Sequence, residues 1–167
     1  MTTKNVDRFL MAQDGRHLTH QANTYTEAFD ELSAGRKSSH WMWYVFPQIT
    51  GLGKSDMARK FGIVSMPEVV EYLTQPILRD RYLESSRLVL QYSSQNPAIY
   101  DGLKQVLGSI DAGKFRSSIT LFGEAARICE SIQMDELADI WAKFRARELR
   151  PCSKTLDFIV ASPPWCP

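Results

Sequence analysis

Apolar residues recur three and four positions apart along most of the chain, the spacing that places them on one face of an α-helix. Hydroxyl and acidic residues precede several of these runs and glycines follow them, as is typical of helix beginnings and ends. The pattern predicts helices at residues 6–14, 24–35, 39–46, 55–62, 65–73, 76–92, 96–107, 111–122, 134–147 and 153–159. The predicted fold class is therefore all-α, a compact, mainly helical bundle.

The run at residues 76–92 is the longest periodic one, and it is predicted to be the central helix of the core. No linker, internal repeat or low-complexity tract divides the chain, so residues 1–167 are predicted to form a single domain. About five residues at the N-terminus and about six at the C-terminus are expected to be extended.

The stretch at residues 39–48 is the most aromatic part of the chain, with four aromatic rings and one histidine. As a helix capped by Ser39, it places His40 and Trp43 on one side. As a strand, it would place Trp41 and Trp43 together instead. The helix is favoured, because the neighbouring segments have helical patterns and no partner strand is evident. In either conformation the stretch is too apolar for a surface loop, so it lies in the core or lines a pocket.

A second informative stretch covers residues 111–122. A helix beginning at Asp111 places the aromatic residues of this stretch on the core side and Arg116, Ser117 and Thr120 on the other. Cationic and hydroxyl side chains beside a core helix are good donors to a phosphate or carboxylate. The alternative is that the hydroxyls bond to the helix backbone and Arg116 pairs with an acidic surface residue. The sequence favours neither interpretation over the other.

Composition and charge limit the function classes. The chain has 167 residues, 44% hydrophobic and 23% charged, which is typical of an ordinary soluble globular protein. A formal net charge of +1 provides no general field for nucleic acid or an anionic membrane, which argues against either as a partner. The sequence lacks a signal peptide and any run of about 20 apolar residues, so a cytoplasmic location is predicted. It does not indicate an oligomeric state.

No metal site, cofactor or disulfide framework is predicted. The three cysteines, Cys129, Cys152 and Cys166, are odd in number and widely spaced, so they are interpreted as reduced thiols. His17 and His20 could face one side of a helix, but no third ligand accompanies them, and a solvated loop is the favoured interpretation.

Residues 34–48, with a His-Trp-Met-Trp core at positions 40–43, resemble the bacterial domain of unknown function numbered eighteen-ten, as do residues 51–53 and 114–122. Matching positions near both ends extend the resemblance over nearly the whole chain. It implies a mainly helical single domain and no established activity. Members are often called calpastatin, but calpain inhibitors of that name are disordered repeats, and this chain is neither disordered nor repetitive.

The chain departs from the family pattern in two places. The polar segment at residues 17–23 looks inserted. Near the C-terminus, Arg150-Pro151-Cys152 stands where the family has a glycine-containing acidic turn, so a family function that uses this turn does not transfer to this chain.

The two informative stretches together suggest a site for a small anionic, nucleotide-like ligand. His40 is the candidate general acid or base, because its unperturbed pKa lies near neutrality. A tryptophan would stack on a planar group, and the later stretch would hold the anion. The predicted ligand-binding residues are Trp41, Trp43, Gln48, Lys114, Arg116 and Ser117. A shared site requires that Lys114 lies near His40, which is predicted. No catalytic triad, carboxylate pair or metal cluster indicates a reaction, so the sequence does not decide whether the protein is an enzyme.

Two other hypotheses use the same residues. Trp43 and Tyr44 could form an exposed aromatic patch for a protein partner, since aromatic residues dominate interface hot spots. Alternatively, His40 and both tryptophans could be a hydrogen-bonded cluster of the core. Burial separates the three hypotheses, because a ligand site is concave, a partner site is exposed and a core cluster is neither.

Overall fold

The computed structural model describes residues 5–16 and 23–167, and the secondary structure of these residues is helical apart from an isolated β-bridge between Ile49 and Ile63. The helices of these residues are α1 Asp7–Gln13, α2 Tyr25–Ser33, α3 Met42–Val45, α4 Asp56–Phe61, α5 Met66–Thr74, α6 Pro76–Ser93, α7 Ile99–Leu107, α8 Ser109–Ile128, α9 Asp135–Ala146 and α10 Ser153–Ala161, with a 3-10 turn at Glu130–Ile132. The predicted all-α fold class is confirmed. His17 and His20 lie outside the described residues.

Among the helices of the described residues, α8 buries the most residues, eleven of its 20. α6, which the sequence predicts as the central helix, buries six of its 18 but packs against more helices. α8 is 20 residues long and packs against α5, α7, α9 and α10. Glycine, alanine and serine fill much of its surface and let the neighbouring helices approach closely. At Gly123 an added Cβ would lie 2.5 Å from the Trp141 side chain of α9. The sequence favours α6 because its long apolar side chains form the longest periodic run of the chain.

Several helix beginnings differ from prediction. α8 begins at Ser109 rather than Asp111, because Gly108 adopts φ 86° and turns the chain directly out of α7. α9 has Met134 at its N-cap and begins at Asp135, one residue after the predicted start. The aromatic stretch is helical, as favoured, but α3 is a single turn with Trp41 at its N-cap. The predicted capping of this helix by Ser39 is therefore wrong.

The aromatic stretch leads into the middle of the core. Phe46 packs edge-on against Tyr82 of α6 and Phe115 of α8, with ring centroids 5.5 and 4.9 Å apart. Tyr82 in turn lies 4.6 Å from Phe122 of α8. These contacts fix the chain that follows α3 against the N-terminal half of α8, which is where the candidate site forms.

The prediction of three reduced thiols is wrong for two of them. Cys129, at the end of α8, is disulfide-bonded to Cys166 in the C-terminal tail, with 5.4 Å between their Cα atoms. Cys152 is free and buried. The pair is 37 residues apart, and only the return of the tail past α8, with Trp165 packed on the core, brings the two cysteines together. No short-range pattern could have shown this pairing.

Among the helices of residues 5–16 and 23–167, none combines the length and the apolar composition that crossing a bilayer requires.

Candidate functional site

Trp41 belongs to the core rather than to a ligand site. Its side chain has no exposed surface, and its indole nitrogen donates a 2.8 Å hydrogen bond to Glu31 Oε2. A ligand could stack on this ring only if the core opened. The structure therefore argues against Trp41 as a ligand-binding residue, and the core hypothesis holds for this part of the stretch.

Glu31 organises the turn before α3. Its Oε2 also accepts hydrogen bonds from the backbone amides of Ser38 and Ser39, at 2.8 and 3.0 Å, and its Oε1 accepts the Ser39 hydroxyl. Burial raises the pKa of Glu31, but these hydrogen bonds and the one from Trp41 outweigh it and lower the pKa to about 2. The carboxylate thus holds the beginning of the aromatic stretch in place. The sequence did not predict this role of Glu31, since no short-range sequence pattern links α2 to this turn.

Trp43 lies near both His40 and Lys114. The His40 and Trp43 ring centroids are 6.4 Å apart, and Lys114 Nζ lies 5.0 Å from the Trp43 ring. His40 is exposed, and Trp43 and Lys114 are partly buried. Asp111 Oδ1 pairs with Lys114 at 3.1 Å, and its Oδ2 pairs with Lys37 at 2.8 Å. Trp43 thereby connects the two stretches that the site hypothesis joins.

The cleft beside Trp43 is small. Its volume of about 10 Å³ is that of one water molecule, and its walls include Gln48 and Lys114 as well as apolar side chains of α3 and α4. Since Lys114 already covers the Trp43 ring, a planar group cannot be inserted here without moving that side chain.

A larger groove adjoins this cleft and shares Gln48 and Lys114 with it. Its volume is about 520 Å³, and it runs between the N-terminal half of α8 and the beginning of α10. Four cationic side chains line it, and no carboxylate does so among the described residues: Lys114, Arg116, Arg150 and Lys154. We call it the basic groove. It brings together Gln48, Lys114, Arg116 and Ser117 of the predicted site, but not His40, Trp41 or Trp43.

Arg116 has an unused hydrogen-bond donor. Its Nε is buried and finds no partner among the described residues, and its guanidinium carbon lies 5.5 Å from the Tyr100 ring. A smaller depression of about 240 Å³ adjoins Arg116 and Arg150 and is also lined by Glu148. No ion pair between Arg116 and an acidic residue forms within the part of the chain that the structure describes.

The hydroxyls of Ser117 and Thr120 bond to the helix backbone, as the second interpretation of residues 111–122 predicts. Ser117 donates to Gly113 O at 3.1 Å, and Thr120 donates to Arg116 O at 2.7 Å. The predicted backbone bonding of the hydroxyls is therefore seen, and the role of Arg116 as an anion donor stays a prediction. The hydroxyls serve the helix backbone, whereas the guanidinium faces a groove without a carboxylate partner.

Cys152 lines the same groove and is the N-cap residue of α10. Its backbone amide donates to Thr120 Oγ1 at 3.1 Å, which joins α10 to α8. Burial raises the pKa of the Cys152 thiol, but the Ser117 hydroxyl, the polar groups of Thr155 and the charge of Arg116 lower it by more, so the pKa lies below its usual range.

The predicted site did not include the α10 side of the groove, which Arg150, Cys152 and Lys154 form. The available signal was a cysteine between two cationic residues at the start of a predicted helix, where free amides and positive side chains favour anions.

Comparisons with known proteins give one family and one solved structure. Residues 3–147 match the model of a family described as "Protein of unknown function (DUF1810)". The crystal structure of the conserved hypothetical protein Rv1873 from Mycobacterium tuberculosis is similar, with 32% sequence identity and a TM-score of 0.73 over 94% of this chain and 97% of that one. No curated protein matches. The family match includes both informative stretches and ends before the α10 side of the basic groove.

Proposed function

The chain belongs to the DUF1810 family, whose function is unknown, and we propose that it binds a small phosphorylated or carboxylated molecule in the basic groove. The observation that carries the proposal is the buried Nε of Arg116, a cationic donor with no partner among the described residues. A buried donor without an acceptor is costly, and a charged one more so. An anion bound in the groove would supply that acceptor.

Charge and size support this assignment. The whole chain has a formal net charge of +1, yet four cationic side chains line this one groove. Arginine holds phosphate and carboxylate through paired hydrogen bonds, and lysine adds a mobile charge. The volume of about 520 Å³ lies within the range of small-molecule sites. A nucleotide-sized anion is therefore the ligand class that fits.

The predicted site residues take different roles in this proposal. Lys114, Arg116 and Gln48 contact the anionic part. Ser117 donates its hydroxyl proton to Gly113 O, so it can only accept a hydrogen bond, from a hydroxyl group of the ligand. A planar group would lie over the accessible edge of Trp43, because the cleft beside that ring has room for one water molecule only. His40 would contact a ligand that extends from the groove past Trp43, and the proposal assigns no reaction to it.

The competing hypothesis of an aromatic interaction surface is less well supported. Trp41, Tyr44 and Phe46 are each at most 1% exposed, so they offer no patch to a partner. Trp43 alone of the four rings is partly accessible, and Lys114 covers part of it. A single half-buried ring is too small an area for a protein interface.

A thermal-shift screen tests the proposal. Inorganic phosphate, nucleoside mono- and diphosphates, ADP-ribose and sugar phosphates are each added to the wild-type protein and to three variants, Lys114→Ala, Lys154→Ala and His40→Ala. A ligand at a hundredfold excess over its Kd should stabilise the wild type by about 2.7 kcal/mol. The shift should shrink in both lysine variants, because each removes a cation from the groove, and it should fall with added salt.

Lys143→Ala is the matched control, since Lys143 is an exposed lysine of α9 outside the groove. It should leave the shift unchanged, and His40→Ala should affect only ligands long enough to pass Trp43. Equal shifts in Lys114→Ala, Lys154→Ala and Lys143→Ala, or no shift with any of these compounds, would rule the proposal out.

A further inference from the structure

One nucleophilic side chain lines the basic groove. Cys152 is the free cysteine of the chain, since Cys129 and Cys166 are bonded to each other. It is 8% exposed and is one of the residues that form the groove surface. A thiol at such a position can contact a small molecule bound in the groove, but not the surface of a large partner.

The surroundings of the sulfur favour its anionic form. Cys152 is the N-cap residue of α10, a nine-residue helix, so it lies at the positive end of the helix dipole. Arg116, which lines the same groove, adds a positive charge from α8. Reactive cysteines occur in electropositive, partly accessible places of this kind, whereas structural ones lie in apolar surroundings.

A buried hydroxyl beside the sulfur acts in the same direction. The Thr155 side chain has no exposed surface, lies beside the Cys152 sulfur, and its hydroxyl bonds to no oxygen or nitrogen of the described residues. An unsatisfied buried hydroxyl is rare and calls for an explanation. A thiolate accepts hydrogen bonds far better than a thiol, so ionised Cys152 would give this donor its acceptor.

We propose that Cys152 is a nucleophilic thiolate that attacks small anionic electrophiles bound in the basic groove, an inference that rests on the proposed anion-binding function. Lys114, Arg150 and Lys154 concentrate the negatively charged reactant beside the sulfur. The thiolate lone pair forms a bond to the electrophilic carbon, and the bond from that carbon to its leaving group breaks, with the electron pair departing on the leaving group. The step consumes no oxidant and no reductant.

Alkylation with two reagents of different charge tests this inference. Iodoacetate carries a carboxylate and iodoacetamide does not, and both form a carbon–sulfur bond and release iodide. At neutral pH and low salt, iodoacetate should react at Cys152 about tenfold faster than with a cysteine in an unstructured peptide. The rate should reach half its maximum below the free-thiol pKa of about 8.5. Mass spectrometry of the unreduced protein assigns the label to Cys152.

Charge variants distinguish electrostatic attraction of the reagent from simple exposure of the Cys152 thiol. Lys154→Gln should slow iodoacetate severalfold and leave the iodoacetamide rate unchanged, and the exposed Lys143→Gln should change neither. Both lysines are exposed, so neither substitution threatens the fold. Labelling of Cys152 no faster than in the peptide with both reagents, or an iodoacetate rate insensitive to Lys154→Gln, would overturn the inference.

A further experiment distinguishes the absence of a nucleophilic Cys152 from the absence of anion binding in the basic groove. The thermal-shift screen is repeated with Cys152→Ser, which removes the nucleophile and keeps the groove cations. Anion-dependent stabilisation in this variant, together with unreactive Cys152 in the wild type, would leave the binding function standing and remove the nucleophile. Absence of both stabilisation and charge selectivity would remove both.

Discussion

Glu31 shows how one carboxylate can fix a neighbouring segment. Four donors from residues 38–41 converge on its two oxygens, and they lower its pKa to about 2 from an ordinary 4.5. A group whose pKa is lower in the folded state stabilises the fold above its unfolded pKa and loses that contribution as the pH falls. Glu31 should therefore contribute fully above pH 4.5 and progressively less toward pH 2.

The substitution Glu31→Gln tests this role. The amide cannot carry the charge that strengthens these hydrogen bonds, so we expect a loss of about 1–3 kcal/mol in the free energy of unfolding at pH 7. The loss should diminish between pH 4.5 and 2, measured by urea unfolding across that range. Glu71→Gln, on an exposed glutamate of α5, is the control and should have little effect. A pH-independent difference would show that the charge of Glu31 is not what matters.

At this scale the sequence could propose Lys114, Arg116 and Gln48 as neighbours, but it could not separate Trp41 from Trp43. Both are tryptophans in one apolar stretch, and a single-turn helix has too little periodicity to assign faces. Trp41 packs in the core near Phe46 and donates its indole N–H to Glu31, ten residues away in another helix. A partner at that distance leaves no local pattern.

Two glycines of α8 give opposite expectations within one element. A Cβ at Gly113 would have the Tyr100 hydroxyl at 3.8 Å as its nearest neighbour, which is ordinary contact, whereas a Cβ at Gly123 would overlap Trp141 at 2.5 Å. Trp141 is fully buried and cannot move aside.

Gly113→Ala should accordingly stabilise the protein by up to about 1 kcal/mol, because alanine loses less backbone entropy in a helix. Gly123→Ala should destabilise it by about 1–3 kcal/mol, because α9 must shift. Each variant is the control of the other, and thermal or urea unfolding measures both. Equal effects would show that the contact between α8 and α9 is looser than described.

Helix positions were largely predictable, because caps and glycines mark them in the sequence. Thr24 and Glu27 form a reciprocal capping box, and Ser55 and Ser65 cap their helices. Which helix buries the most residues was not predictable. α8 is buried through small residues such as Gly123, and a search for long apolar side chains favours α6 instead.

Over the whole molecule, the disulfide is the feature with the largest expected effect on stability. Cross-linking Cys129 to Cys166 closes a loop across 37 residues and restricts the unfolded chain, which typically contributes about 2–4 kcal/mol. Cys166→Ser should lower the free energy of unfolding by that amount.

The wild-type protein provides the control for this substitution. Dithiothreitol should lower the unfolding midpoint of the wild type and leave that of Cys166→Ser unchanged, as followed by circular dichroism in denaturant. A wild-type midpoint that reductant does not move, with three titratable thiols in the unfolded protein, would show that the bond does not form.

The fold class was evident from periodicity, but the basic groove was not. One side of it comes from residues 113–117 and the other from residues 150–154, and nothing in either segment specifies the other. Only the packing of α10 against α8, held by the hydrogen bond from Cys152 to Thr120, brings them together. Contacts of this kind are set by the assembled core and cannot be derived from one local segment.

The disulfide also has a topological consequence for the groove. Residues 129–166 form a covalently closed ring that contains α9 and α10, so Arg150, Cys152 and Lys154 lie on the ring and Lys114 and Arg116 lie outside it. A hydrolysed peptide bond anywhere in that ring would leave both fragments joined. If the groove widens, residues 150–154 must move away from α8, and the disulfide links the segment that contains them to the end of α8. The bond therefore limits the width of any molecule that enters the groove.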